Sequence, residues 1–115
     1  MGYYTSYDIE IVKSNLNYFG DINTIKSEIG DISGYGNCFE DSIKWYDHDK
    51  HMMILSQRHP NAIFKLIGEG EENGDKWHKY YHNGKMIKEC RARIVFDEFD
   101  AEQYVRDNKL EQLLN

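Results

Sequence analysis

The dipeptide Asn-Gly occurs at Asn73-Gly74 and again at Asn83-Gly84. Both residues tolerate positive φ, the conformation that tight turns between antiparallel strands require. The runs beside them read as strands: "AIFKLIGEG" before the first, "KWHKYYH" between the two, "MIKECRARIVF" after the second. β-branched and aromatic residues dominate these runs. Three strand-like runs joined by two such turns have few arrangements open to them, and the simplest is an antiparallel meander.

The remainder of the chain must supply a layer to cover that sheet. "YTSYDIEIV" alternates, with Tyr7, Ile9 and Ile11 on one side and Ser6, Asp8 and Glu10 on the other, the pattern of a half-buried strand. In "GDINTIKSEIGDISG", Ile22, Ile25, Ile29 and Ile32 form a helical stripe, with Asp21 as N-cap and Gly34 closing the C-terminus. Gly30 inside costs ~1 kcal/mol relative to Ala, so early fraying is expected there. "FEDSIKWY" alternates again and reads as a further strand, with Phe39, Ile43 and Trp45 inward. A helix from about His48 to His59 follows, with Asp47 as N-cap and an inner face of Met52, Leu55, Ser56 and His59; Pro60 ends it. The tail is helical from Asp100. Asp100 and Gln103 resemble a capping box, Phe99 can staple Tyr104, and Leu110, Leu113 and Leu114 would pack back on the body.

Residues 1–115 therefore read as a single α+β domain. The expected architecture is a two-layer sandwich: an antiparallel-rich sheet of about five strands with helices on one face, ferredoxin-like in arrangement. Hydrophobic residues make up 40% and aromatics 14%, enough for one core. No apolar run is long enough to span a membrane, and "MGYYTSYDIE" lacks the basic and apolar regions of a signal peptide, so a cytoplasmic location is expected. "MGYYTS" fits the loose myristoylation pattern at Gly2 and Ser6, but a strand begins there. Cys38 and Cys90, far apart and without a CxxC, read as reduced core thiols. A net charge of −6 argues against general affinity for phosphates and suits docking on a basic surface.

Three stretches invite a chemical reading. Asp47, His48, Asp49 and His51 sit within five positions, and Asp47 and His51 could share a helical face as the core of a metal-dependent enzyme. A zinc site wants three or four ligands, usually from more than one element, whereas a helix start already accounts for Asp47 and Asp49. No metal or other cofactor is therefore expected, and His59 reads as a hydrogen-bonded core residue. The acidic run Glu69, Glu71, Glu72 and Asp75 has neither calcium-loop spacing nor a dinucleotide fingerprint. It reads as a solvated hairpin tip or as a negative prong for a basic partner, with Trp77 and Tyr81 as nearby aromatic anchors. The third stretch is the open sheet face. If Cys90 and Ala92 point inward, Arg91 and Arg93 point outward beside Lys65, with Ile63 and Ile67 and with Trp77 and Tyr81 near them. Such a face could stack single-stranded nucleic acid. Asp8, Glu10 and Glu40 on the same face offer those cations partners instead. Catalysis by Cys90 with His78 or His82 is disfavoured by the inward placement of the thiol.

From Lys44 to Lys85 the chain reads "KWYDHDKHMMILSQRHPNAIFKLIGEGEENGDKWHKYYHNGK". A Trp-bearing strand, a helix ending in Ser-Gln-Arg-His-Pro, a "GEGEE" tip and a Trp/Tyr strand closed by "NGK" resemble small phage and mobile-element proteins. The stretch is more loosely similar to plasmid and phage ferredoxin-like domains. The resemblance implies a small acidic, non-enzymatic protein that binds a host protein or ribonucleoprotein with a basic surface. The implied role is inhibition of a nucleic-acid-handling or defence complex, in the manner of anti-CRISPR proteins.

Overall fold

A computed structural model describes residues 3–12, 17–92 and 98–114. The elements are β1 (Thr5–Val12), α1 (Ile22–Ser33), α2 (His48–Arg58), β2 (Ile63–Gly70), β3 (Lys76–His82), β4 (Lys85–Arg91) and α3 (Ala101–Leu114). Among the described residues four strands form one antiparallel sheet in the order β1-β2-β3-β4. The meander foreseen from the two Asn-Gly turns is present. Asn83 (φ 48°) and Gly84 (φ 81°) make a two-residue turn, whereas in the 71–75 loop only Gly74 takes positive φ.

The chain is an α+β protein, but its described strands do not make the expected five-stranded, ferredoxin-like sheet. That arrangement interleaves helices between parallel strands. Here every pair is antiparallel, and α1 and α2 both fall in the β1–β2 connection. The missing strand is the one expected over residues 39–46, which make one isolated bridge, Ile43 to Thr5. Side chains occupy the backbone groups a ladder would use. The Lys44 carbonyl accepts from Tyr35 Oη (2.7 Å), and the Trp45 carbonyl accepts from His48 Nδ1 (2.8 Å) and Tyr7 Oη (3.2 Å). The Phe39 N–H donates to the Asn37 side chain (2.9 Å).

One sheet face is the floor of the core. Tyr7 and Ile9 of β1, Phe64 and Leu66 of β2, and Trp77 and Tyr81 of β3 meet Ile25 and Ile29 of α1 and Met52 and Leu55 of α2. Trp45 and Cys38 are buried with them although they lie outside any helix or strand. Each fully buried Leu, Ile, Phe or Met contributes about 1.5–3 kcal/mol of transfer free energy. Ser56 is buried but satisfied: its hydroxyl donates to the Met53 carbonyl (2.9 Å) and accepts from the Gly84 N–H (2.8 Å), tying α2 to the β3–β4 turn. The other sheet face carries the rows Asp8–Ile67–His78–Cys90, Glu10–Lys65–Tyr80–Lys88 and Val12–Ile63–His82–Lys85.

Helix boundaries follow the sequence closely. α1 ends on Gly34 in the left-handed region (φ 82°), and α2 begins after Asp47, though neither Asp21 nor Asp47 makes a side-chain capping bond. Asp100 does cap α3, accepting from the Gln103 N–H (3.0 Å), and Phe99 packs on Tyr104. The side chains of Leu110, Leu113 and Leu114 lie outside the described residues, as do Arg93, Ile94, Val95 and Phe96. α1 does not fray at Gly30, which is buried, and its carbonyl accepts from the N–H groups of Gly34 (3.0 Å) and Gly36 (3.1 Å). A Cβ on Gly30 would run into the Gly36 carbonyl. Gly30→Ala should therefore destabilise the protein by about 1–3 kcal/mol, reversing the gain that Ala brings to an open helix. Urea unfolding of the variant checks the sign.

Candidate functional site

The acidic tip is built where the residues before β1 meet the loop after β2. β1 runs antiparallel to β2 with Thr5 opposite Gly70, so Tyr3 and Tyr4 fall beside the 71–75 loop. Tyr3 Oη donates to Asp75 Oδ2 (2.7 Å) and accepts from the Glu72 N–H (3.0 Å). The bond to Asp75 raises the phenol's pKa. The Tyr4 N–H donates to Glu71 Oε1 (3.0 Å), and the Tyr3 N–H donates to Tyr46 Oη (2.9 Å). Within the loop, the Gly70 N–H donates to the Asp75 carbonyl (2.8 Å). Glu69, Glu71 and Glu72 remain exposed, with Glu69 3.7 Å from Lys76 across the hairpin. Tyr4 and Tyr46 stand beside them, 45% and 67% exposed, with the Lys44 ammonium over the Tyr4 ring.

The structure thus brings Glu69, Glu71, Glu72 and Asp75 together but not Trp77 and Tyr81. Those two are 6% and 0% exposed and lie in the core. Gly68, opposite Trp77, leaves the space that its indole occupies. The aromatics at the tip are Tyr3, Tyr4 and Tyr46. Extending the β1–β2 register two residues past Thr5 would have located the first two.

The histidine–aspartate segment serves a different purpose. Lys79, between Trp77 and Tyr81 on the core face of β3, is 6% exposed. Its ammonium lies 2.9 Å from His48 Nε2, 3.2 and 3.3 Å from the Asp49 carboxylate, and 3.5 Å from Glu89. It also sits 4.7 Å from the centroid of the Trp77 ring, which stacks on His48. His48 Nδ1–H donates to the Trp45 carbonyl, which leaves Nε2 as a lone-pair acceptor for Lys79. Burial first, and then the Lys79 charge, lower the His48 pKa. Burial would raise that of Asp49, but the Tyr81 hydroxyl and the nearby imidazole and ammonium outweigh it and lower it. Burial, reinforced by Asp49, pushes the Tyr81 phenol far up. His51 is also engaged, its Nδ1 accepting from the Trp45 indole N–H (2.8 Å). Among the described residues no three His, Cys, Asp or Glu side chains form a group that could hold a metal ion.

His59 is hydrogen-bonded, with Nε2 donating to Glu28 (2.6 Å) and Nδ1 facing Tyr18 Oη (3.3 Å). On the open face, Lys65 lies 3.8 Å from Glu10 and 6.0 Å from the Tyr80 centroid. Arg91 does not join it. Its partner is Trp77, so it projects on the helix side, 3.3 Å from Glu89. Arg93 lies outside the described residues. Cys90 is correspondingly on the open face opposite His78 and half-buried; only Cys38 is the core thiol expected of both.

The chain matches no family model, no curated protein and no solved structure.

Two stability predictions follow from the lysine cluster. Asp49→Asn should cost about 1–2 kcal/mol, since it removes charge from the acceptor of Lys79 and Tyr81 at a half-exposed position. Wild-type stability should begin to fall as pH drops below about 6.5, because the unfolded imidazole binds a proton that buried His48 resists. A second loss follows below pH about 3.8 as Asp49 is protonated. Denaturation across pH should show the first slope flattened in His48→Gln.

Proposed function

We propose that this protein is a small acidic, non-enzymatic binding protein, phage-encoded, that inhibits a host nucleic-acid-handling or defence complex by protein–protein contact. The reading rests on one observation: the acidic hairpin tip is fastened by the N-terminal tyrosines rather than left as a loose loop. Exposed carboxylates at Glu69, Glu71 and Glu72 are held on a frame of Tyr3 and Asp75, with Tyr4 and Tyr46 at its edge. A prearranged negative surface loses less conformational freedom on docking, and long-range attraction to a basic groove accelerates encounter. Tyrosine adds contact area at low entropic cost. The partner class is a host protein or ribonucleoprotein with a basic surface, met in the cytoplasm. The net charge of −6 fits such a partner. The residues of the Lys65–Arg91 alternative project to opposite sheet faces, which removes the support for that particular nucleic-acid patch.

Affinity capture from a host lysate at increasing salt, followed by a binding isotherm on the captured partner, tests the proposal. The double variant Glu71→Lys, Glu72→Lys should weaken that partner's binding on the order of tenfold at low salt, and the difference should shrink as ionic strength rises. Tyr3→Phe keeps the charge but releases the frame and should weaken it less. Equal binding by wild type and the double variant would remove the tip from the interface.

A further inference from the structure

Among the described residues the helices that pack on the sheet, α1 and α2, lie on its core side, and the opposite face carries no described helix. That bare face has an unequal distribution of charge. Its β1 edge presents Asp8 and Glu10, whereas Lys85 and Lys88 line its β4 edge and have no carboxylate partner among the described residues. Between them lie half-buried Ile63, Ile67 and Tyr80.

We infer that this face is a docking surface for a second copy of the chain. A two-fold axis parallel to the strands, placed between two stacked sheets, reverses strand order while keeping each row at its own height. The row Glu10–Lys65–Tyr80–Lys88 then lies over its own reverse, setting Glu10 against Lys88 and Lys65 against Tyr80 twice across the interface. In the rows on either side of it, Ile67 meets His78 and Ile63 meets His82. Stacked sheets align to within about 30° at a spacing of about 10 Å, which keeps rows near the axis in register. An axis perpendicular to the strands would set β1 over β1 and like charges together, so the charge pattern selects the first arrangement. It also explains why this face suits a protein better than a nucleic-acid strand: phosphates crossing it would run against Asp8 and Glu10. Four short strands bury less than a standard interface, so the dimer dissociates on dilution.

Sedimentation equilibrium of the full chain from about 10 μM to about 1 mM, at low and high salt, tests the pairing. Wild type should shift from monomer to dimer across the range, less so in high salt. Lys88→Glu, at an exposed site, should raise the dissociation constant about tenfold or more, and adding Glu10→Lys to it should restore association. Unfolding curves for both variants confirm that they fold. A wild type that stays monomeric throughout, or a dimer indifferent to Lys88→Glu, overturns the inference. So does failure of the double exchange to recover association in a folded protein. Monomeric protein that shifts labelled oligo-dT in a salt-dependent manner, with the shift lost in Lys88→Glu, would assign the face to single-stranded nucleic acid instead.

Discussion

Lys79 stands on the core face of β3, where the backbone carries its ammonium under the start of α2, and it must find acceptors there. An unpaired buried charge would cost several kcal/mol, more than most single contacts return. The N-terminus of a helix is itself positive and makes the problem worse. Asp49 in the first turn answers both charges, and neutral His48 supplies a lone pair while its other nitrogen is held by the Trp45 carbonyl. Glu89 closes the cluster from β4. One lysine thus fixes where α2 begins, how Trp45 is placed and which tautomer His48 adopts. The dense histidine–aspartate segment supplies the acceptors that this buried ammonium needs.

The same lysine made the sheet harder to read from sequence. In "KWHKYYH" the core positions are Trp77, Lys79 and Tyr81, and the open ones are His78, Tyr80 and His82. Aromatics occur in both sets, and the cation in the inward set disguises it as a surface face. β4 poses a related difficulty. As an edge strand its residues are mostly exposed on both sides, so alternation alone cannot orient them. A shift in register near Tyr80 and Tyr81 adds to that, and pairing with β3 puts Cys90 out and Arg91 on the helix side. What could be read was local: the Asn-Gly turn at Asn83, the Gly34 stop, the Asp100 cap and the stripes of α1 and α2. Residues 39–46 do not form a strand, because their alternation reflects burial of Trp45 while hydroxyl and imidazole groups take the Lys44 and Trp45 carbonyls. The tip's acidic residues were legible from composition, but its tyrosines required the β1–β2 register.

Antiparallel sheets with exposed edges risk pairing with other chains. On β4, Lys85 and Lys88 together with the irregular pairing at Tyr80 and Tyr81 make edge-to-edge addition of a second β4 unfavourable. On β1, the single Thr5–Ile43 bridge and the tyrosines fastened to the 71–75 loop occupy its N-terminal end. Addition of β4 to a second β4 is therefore opposed by the same lysines that favour association through the bare face.

The geometry of that pairing bears on how the acidic tip would act. An axis parallel to the strands leaves each end of the sheet at its own end, so both 71–75 loops of a dimer project in the same direction. Two copies of Glu69, Glu71 and Glu72 then face one side, and their mutual repulsion offsets part of the attraction between Glu10 and Lys88 while their combined field strengthens attraction to a basic surface. A partner with one basic groove would gain from charge doubling, and one with two equivalent grooves would gain from linked binding, where the second contact is intramolecular. Binding of such a partner neutralises the repulsion between tips and so favours the dimer. By linkage, a dimer binds the partner more tightly to the same degree. In such an assembly the bare face and the fastened tip would be coupled through charge, with the sheet as the rigid body between them.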